Sequence, residues 1–174
     1  PEYKQYSYQD NAFPIRSGQT ISQPTTVMLM TQALELKKGH KVLEVGTGSG
    51  YQAALISEIV KPAKFYTTEI INELADFANK NLKDYKNVVV LNIDGSQGLK
   101  KYMPYDKIIL TAACPEIPKV LIDQLSDDDG ILIAPVGSVY YQDMVKLKKS
   151  KNKISEISLG EFMFVPLKGK HGYK

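Results

Sequence analysis

From Lys41 to Gly137 the sequence alternates short apolar runs with helix-like segments, and this alternation constrains the fold more than any other feature. The runs "KVLEV" (41–45), "KFYTTE" (64–69), "NVVVLNID" (87–94), "DKIILTAA" (106–113) and "GILIAPVG" (130–137) read as strands. Between them, 50–60, 72–82 and 117–125 read as helices, and 24–36 reads as a helix with Pro24 at its start and Gly39 past its end. Strands separated by helices form a mostly parallel, doubly wound sheet covered on both faces. Residues 140–167 lack helical periodicity and read as an antiparallel hairpin or meander closing one sheet edge.

At 174 residues the chain has the length of one domain. We expect a substrate-side segment and elbow over 1–23, an α/β core over 24–138 and C-terminal strands over 139–174. No apolar run approaches the roughly 18–20 residues that span a bilayer. The net charge is +3, and Arg16 is the only arginine, which argues against sequence-specific reading of nucleic acid. The five lysines of "KLKKSKNK" (146–153) read either as a basic patch or as a solvated, protected hairpin edge; the second reading is favoured. The single cysteine, Cys114, cannot form an internal disulfide and suits a reducing, cytoplasmic setting.

Open parallel sheets bind ligands beyond the carboxyl ends of their strands. After the first strand comes "LEVGTGSGY", with glycines at 46, 48 and 50 that let the backbone approach a ligand. A dinucleotide fingerprint needs a glycine where Tyr51 stands. The G-x-G-x-G pattern, with Glu44 two residues before it, fits S-adenosylmethionine better than a pyrophosphate. Glu69 follows the second strand at the spacing of an acid that holds ribose hydroxyls. Asp94 and Gly95 follow the third, where they form either an adenine contact or an ordinary turn. Cys114 after the fourth reads as a small buried hydrophobe rather than a nucleophile. Upstream, "GQTISQP" (18–24) places Thr20 and Ser22 where they cap the helix at Pro24, hold a substrate, or do both. Neither His40 nor His171 forms part of a visible catalytic pair.

Taken together, "GQTISQP", "VLEVGTGSGYQAALIS", "DGSQG", "YDKIILTAACPEIPKVLIDQL", "GILIAPVG" and "FVPLKG" resemble the protein-L-isoaspartate O-methyltransferase family over nearly the whole chain. The resemblance implies a Rossmann-like, S-adenosylmethionine-dependent fold with an antiparallel C-terminal edge. It implies methyl transfer to the free carboxyl of an isoaspartyl residue in a damaged protein, with S-adenosyl-L-homocysteine as product. Ser22 and Thr20 would then be the catalytic hydroxyls. Glu44, Gly46, Thr47, Gly48, Ser49, Gly50, Glu69, Ile70, Asp94 and Gly95 would hold the cofactor, and Gln19, Ile21, Val165 and Pro166 the peptide. No metal, nucleic acid or membrane is implied, and the working unit is expected to be a monomer. Two departures stand out: Thr25 occupies a position where many relatives have histidine, and the helical segment that precedes "PEY" in the family, part of the substrate lid, is absent from the sequence.

The chemistry suits these residues. A carboxylate with a pKa of about 4 is already ionised at neutral pH and needs positioning rather than a strong base. Its reaction with a sulfonium annihilates charge, which a dry site favours. Two other readings share the motifs: a methyltransferase for a small molecule or RNA, and a cofactor-binding scaffold without catalysis.

Overall fold

The computed structural model describes residues 3–151 and 153–174; Pro1 and Glu2 of the N-terminal segment and Asn152 of the lysine-rich stretch lie outside them. Seven strands form one sheet: β3 (Val42–Val45), β4 (Phe65–Thr68), β5 (Val88–Leu91), β6 (Lys107–Leu110), β7 (Gly130–Gly137), β8 (Gln142–Ser150) and β9 (Lys153–Phe162). Their spatial order is β5-β4-β3-β6-β7-β8-β9. Pairing is parallel from β5 to β7 and antiparallel for β7–β8 and β8–β9, giving the doubly wound sheet with an antiparallel C-terminal edge. A separate two-stranded hairpin, β1 (Phe13–Pro14) with β2 (Thr20–Ile21), precedes the core.

The helices are α1 (Pro24–Ala33), α2 (Tyr51–Val60), α3 (Asn72–Asn81) and α4 (Lys119–Gln124). One sheet face packs Val42, Phe65, Ile109 and Ile133 against Met30 and Leu34 of the α1 end, Ile56 of α2 and Ala78 of α3. The other packs Leu43, Val45, Ile108 and Leu132 against Leu121 and Leu125 of the α4 end and Tyr105. These inward residues are all at most 2% exposed, so the near-continuous apolar runs of the central strands reflect burial from both sides. Among the described residues, no helix is long and apolar enough to cross a membrane.

The structure shortens several expected elements. The helix expected over 24–36 ends at Ala33, because Glu35 turns to a positive φ of 52° and pairs with Lys146 Nζ at 2.5 Å. The strands expected over 87–94 and 106–113 hold the ladder for four residues each. The residues that follow leave the sheet to build loops at its carboxyl edge.

The lysine-rich hairpin is less solvated than its composition suggests. Lys149 Nζ reaches the Ile122 and Leu125 carbonyls at the α4 C-terminus, at 3.1 and 3.0 Å, and Asp127 at 3.0 Å. With Lys146 on Glu35, two of the five lysines tie the hairpin to the helical layers.

Candidate active site

The strand order reverses between β3 and β6, and the residues leaving those strands meet there. Gly46 leaves β3 with φ 102°, and a Cβ at that position would overlap the Thr111 hydroxyl. Thr111 leaves β6, its amide bonding the Val45 carbonyl at 3.0 Å and its hydroxyl donating to the Gly46 carbonyl. The Gly46 and Thr47 amides both donate to the Thr68 carbonyl, at 2.9 and 3.2 Å. Gly95 is confined in the same way, since a Cβ there would overlap the Thr68 hydroxyl. The helix α2 begins beyond Gly50 (φ 85°), and Ser49 Oγ accepts from the Tyr51 amide at 3.4 Å in its first turn.

Glu69 spans this cradle. Its carboxylate accepts from the Gly48 amide at 2.9 Å and the Ile71 amide at 3.0 Å, one bond per oxygen. Each oxygen thus keeps a lone pair to accept from a hydroxyl. The cavity above is lined by Gly46, Thr47, Gly48, Ser49, Glu69, Ile70 and Gly95 of the expected cofactor set. Gln19, Thr20, Ile21, Ser22, Val165 and Pro166 close its far side.

Glu44, Gly50 and Asp94 are not in that lining and stand behind it. Glu44 is fully buried, and burial pushes its carboxyl up to about 8; the Thr67 hydrogen bond opposes the rise and the charge of Glu69 adds to it. Its Oε2 accepts from Thr67 Oγ1 at 2.5 Å, and that hydroxyl lies 2.6 Å from Thr47 Oγ1 in the glycine loop. Glu44 therefore reaches the cavity through two threonines. Its Oε1 has no partner among the described residues. Asp94 is bonded on both oxygens by the chain itself. Oδ1 accepts from the Ser96 amide and hydroxyl at 3.0 and 2.6 Å, and Oδ2 from Gln97 Nε2 and the Lys170 amide at 3.1 and 2.9 Å. Burial raises its pKa, but these bonds outweigh it and hold the carboxyl below its ordinary range. Gly169 packs so closely on this carboxylate that a Cβ would overlap it. Asp94 thus anchors the C-terminal tail against the turn that carries Gly95.

A second compartment opens beside the first. This cleft of about 340 Å³ shares Thr20, Ser22, Thr111 and Val165 with the cradle cavity. Reciprocal bonds between the Ala113 amide and Val165 carbonyl (2.9 Å) and the Leu167 amide and Ala113 carbonyl (2.7 Å) hold Val165 and Pro166 at the junction. No side chain of the elbow caps α1, whose N-cap residue is Gln23. Instead Asp10 Oδ1 accepts from the Thr25 amide at 2.9 Å, docking the N-terminal segment on the helix start. Thr20 and Ser22 are therefore not spent on capping.

The β1–β2 hairpin roofs the cradle. Ser17 Oγ donates to Glu73 at 2.7 Å, Arg16 lies 3.5 Å from the same carboxylate, and the Arg16 guanidinium sits 4.9 Å from the Phe77 ring centre. Cys114 is buried, and burial pushes its thiol up to about 12, which leaves it no nucleophilic role. Neither histidine lines either compartment. Among the described residues, no group of three or more His, Cys, Asp or Glu side chains is placed to hold a metal. The sequence reading did not single out Thr111 or the lid contacts of Asp10 and Arg16. Their partners lie 15 to 66 residues away, and no local pattern marks them.

A glycine cradle with a ribose-type acid at the switch point of a doubly wound sheet marks the class of nucleoside-binding α/β proteins. Within that class, the chain belongs to the protein-L-isoaspartate(D-aspartate) O-methyltransferase family, whose model matches residues 1–172. It is 50% identical to protein-L-isoaspartate O-methyltransferase of Methanosarcina mazei, across all of this chain and 73% of that relative. It is 48% identical to the enzyme of the same name from Pyrococcus horikoshii, over 99% of this chain and 79% of that one. A solved structure of a protein-L-isoaspartate O-methyltransferase superposes with a TM-score of 0.87 at 28% identity. That match covers 97% of this chain, which spans 56% of the longer solved chain. A precorrin-6y C5,15-methyltransferase of Geobacter metallireducens shares the fold, with a TM-score of 0.64 at 15% identity over 90% of this chain and 95% of that one.

Proposed function

We propose that this chain transfers the methyl group of S-adenosyl-L-methionine to the free carboxyl of L-isoaspartyl residues in damaged proteins, the first step of their repair to aspartate. The observation that carries this reading is the junction of the two compartments. A nucleoside-sized set of contacts and an open cleft meet at three short hydroxyl side chains, Thr20, Ser22 and Thr111. The cradle fits the cofactor: glycines at positive φ, a Gly46 with no room for a Cβ beside Thr111, and an acid with a lone pair free on each oxygen. When bound, S-adenosyl-L-methionine supplies an electrophilic methyl group on a sulfonium and departs as S-adenosyl-L-homocysteine.

The chain's own residues then have distinct tasks. Glu69 would hold the ribose hydroxyls, with Ile70 beside it and Gly95 against the adenine side. Thr47, Gly48 and Ser49 would follow the amino-acid portion. Gly50, Glu44 and Asp94 would support these contacts from behind. Ser22 and Thr20 would each donate one hydrogen bond to the acceptor carboxylate and aim one oxygen at the methyl carbon. Because they carry no charge, they orient the carboxylate without lowering its nucleophilicity as a lysine would. Alignment of this kind contributes several kcal/mol, up to about 7–11 in favourable cases. Gln19, Ile21, Val165 and Pro166 would flank the peptide. An elbow closed over the bound cofactor would exclude water, which would favour a step that annihilates charge.

The same reading treats residues 1–174 as one methyltransferase unit working as a monomer in the cytoplasm, on proteins rather than on nucleic acid or a membrane. The free, buried Cys114 and the single arginine support it. The test is incubation with labelled S-adenosylmethionine and three acceptors: an isoaspartyl peptide, its aspartyl twin, and RNA. Label on the isoaspartyl peptide alone is expected. Label on RNA, or cofactor binding without transfer to any acceptor, refutes the proposal.

A further inference from the structure

Beyond the hydroxyls it shares with the cradle, the 340 Å³ cleft is walled by Ala12, Gln23, Thr26, Phe162, Met163 and Phe164, all uncharged. One charged side chain lines it: Glu161, at the end of β9. This carboxylate is held in place, because Tyr141 donates its hydroxyl to Glu161 Oε1 at 2.6 Å. That bond, together with burial and the carboxylate's charge, pushes the Tyr141 phenol up to about 12, so it remains a donor throughout the neutral range. Glu161 Oε2 is not the oxygen that Tyr141 binds. Across the strand pair, Asp143 stands in register with Glu161, its own Oδ1 accepting from Ser158 Oγ at 3.0 Å. Glu161 is thus the one acid lining this cleft among the described residues, with Asp143 beside it on the neighbouring strand, in a chain of net charge +3. Met163, 81% exposed, gives the same rim a flexible apolar surface.

An acceptor carboxylate held by Ser22 and Thr20 brings its flanking residues into this cleft, since the two share those walls. A fixed negative rim discriminates among the flanks by charge rather than by shape. We propose that Glu161 is a specificity-determining residue that selects acceptor segments carrying a lysine or arginine next to the isoaspartyl residue and disfavours those carrying an acid. The inference rests on the functional reading above and names which damaged segments that site prefers.

The experiment uses three isoaspartyl peptides that differ only in the neighbouring residue: lysine, glutamine or glutamate. Each is assayed for methylation and, separately, for binding by fluorescence anisotropy to protein saturated with S-adenosyl-L-homocysteine. The native chain, Glu161→Gln and Glu161→Lys are compared. The native protein should bind the lysine peptide about three- to tenfold more tightly than the glutamate peptide, as for one partly exposed charge pair. The ratio should shrink toward unity as salt is raised. Glu161→Gln should bring it near one, and Glu161→Lys should invert it, an outcome that a folding defect would not produce. The same ratio in all three proteins, with isoaspartyl peptides still methylated, overturns the role of Glu161 and leaves the enzyme standing. Methylation of none of the peptides overturns the functional reading and this inference with it.

Discussion

The cradle and the cleft adjoin along Thr20, Ser22, Thr111 and Val165, yet they handle polar groups in opposite ways. In and behind the cradle wall, the chain itself already holds several polar groups. Glu69 holds two loop amides, Thr111 holds the Gly46 carbonyl, and Asp94 accepts four hydrogen bonds. The cleft instead presents short hydroxyls not spent on capping, a one-sided carboxylate and an exposed methionine. A site that must present one constant nucleoside gains from a rigid frame. On the proposed reading the cleft receives many unrelated protein segments, and a few fixed contacts beside an adaptable rim suit that task.

Four substitutions test this contrast, from the largest effect to the smallest. Ser22→Ala removes a donor on the cleft side and should lower kcat about a hundredfold. Calorimetry should find S-adenosyl-L-homocysteine affinity within about twofold of native; equal losses in both would dissolve the division of labour. Gly46→Ala strikes the frame itself. It forces a Cβ onto a backbone at φ 102° and against Thr111, at a cost of about 1–3 kcal/mol. Product affinity should drop at least tenfold, and a normal titration would show that the cradle is softer than its geometry implies.

Glu44→Gln probes the buried support behind the loop. With its carboxyl pushed up to about 8 from 4.5, folded Glu44 keeps a proton between those pH values that the unfolded chain has released. Its contribution therefore makes stability fall as pH rises through that window, by about 1 kcal/mol per unit. Glutamine should flatten the slope in denaturant titrations at pH 5, 6, 7 and 8, and parallel native and variant curves would contradict the assignment. Arg16→Ala should do least. Arg16 fastens the β1–β2 hairpin that roofs the cradle, so its loss should ease passage of a bound nucleoside. Its ion pair with Glu73 is exposed and contributes about 0–1 kcal/mol. Stopped-flow release of S-adenosyl-L-homocysteine should quicken two- to threefold, and an unchanged rate would place the gate elsewhere.

Much of the fold was legible in the sequence because strands buried on both faces read as short continuous apolar runs and helices impose a period of 3.6. The strands β3 to β7, the helices between them and the antiparallel edge all lie within the expected segments. The errors lie at element ends. Nothing local signals that Glu35 will find Lys146, 111 residues away, and close α1 early. The lysine-rich hairpin misled for a related reason: composition suggests solvent, but Lys149 lies against the α4 C-terminus, where carbonyls without helical partners attract a cation.

The candidate site divides along the same line. The glycine loop and Glu69 could be placed from spacing alone, because a strand end, a tight turn and a helix start lie within a few residues of one another. Glu44 and Asp94 have the right residue type at the right strand ends. Whether such a side chain faces a cavity or lies behind it depends on what the rest of the chain brings against it. Thr67 and Thr47 take up Glu44 beneath the loop, while the Lys170 amide and Gly169 close over Asp94 from 75 or more residues away.

The sequence by itself determined the order of strands and helices along the chain, the tight glycine turn after β3, and the hydroxyl elbow. Each is a property of short segments and their allowed backbone angles. Only the tertiary structure decided that Thr111 joins Ser22 and Thr20, that Asp10 rather than the elbow docks on the start of α1, and that one carboxylate, Glu161, rims the cleft. Those arrangements depend on loops from opposite ends of the chain arriving at the same sheet edge, and no local periodicity encodes that meeting.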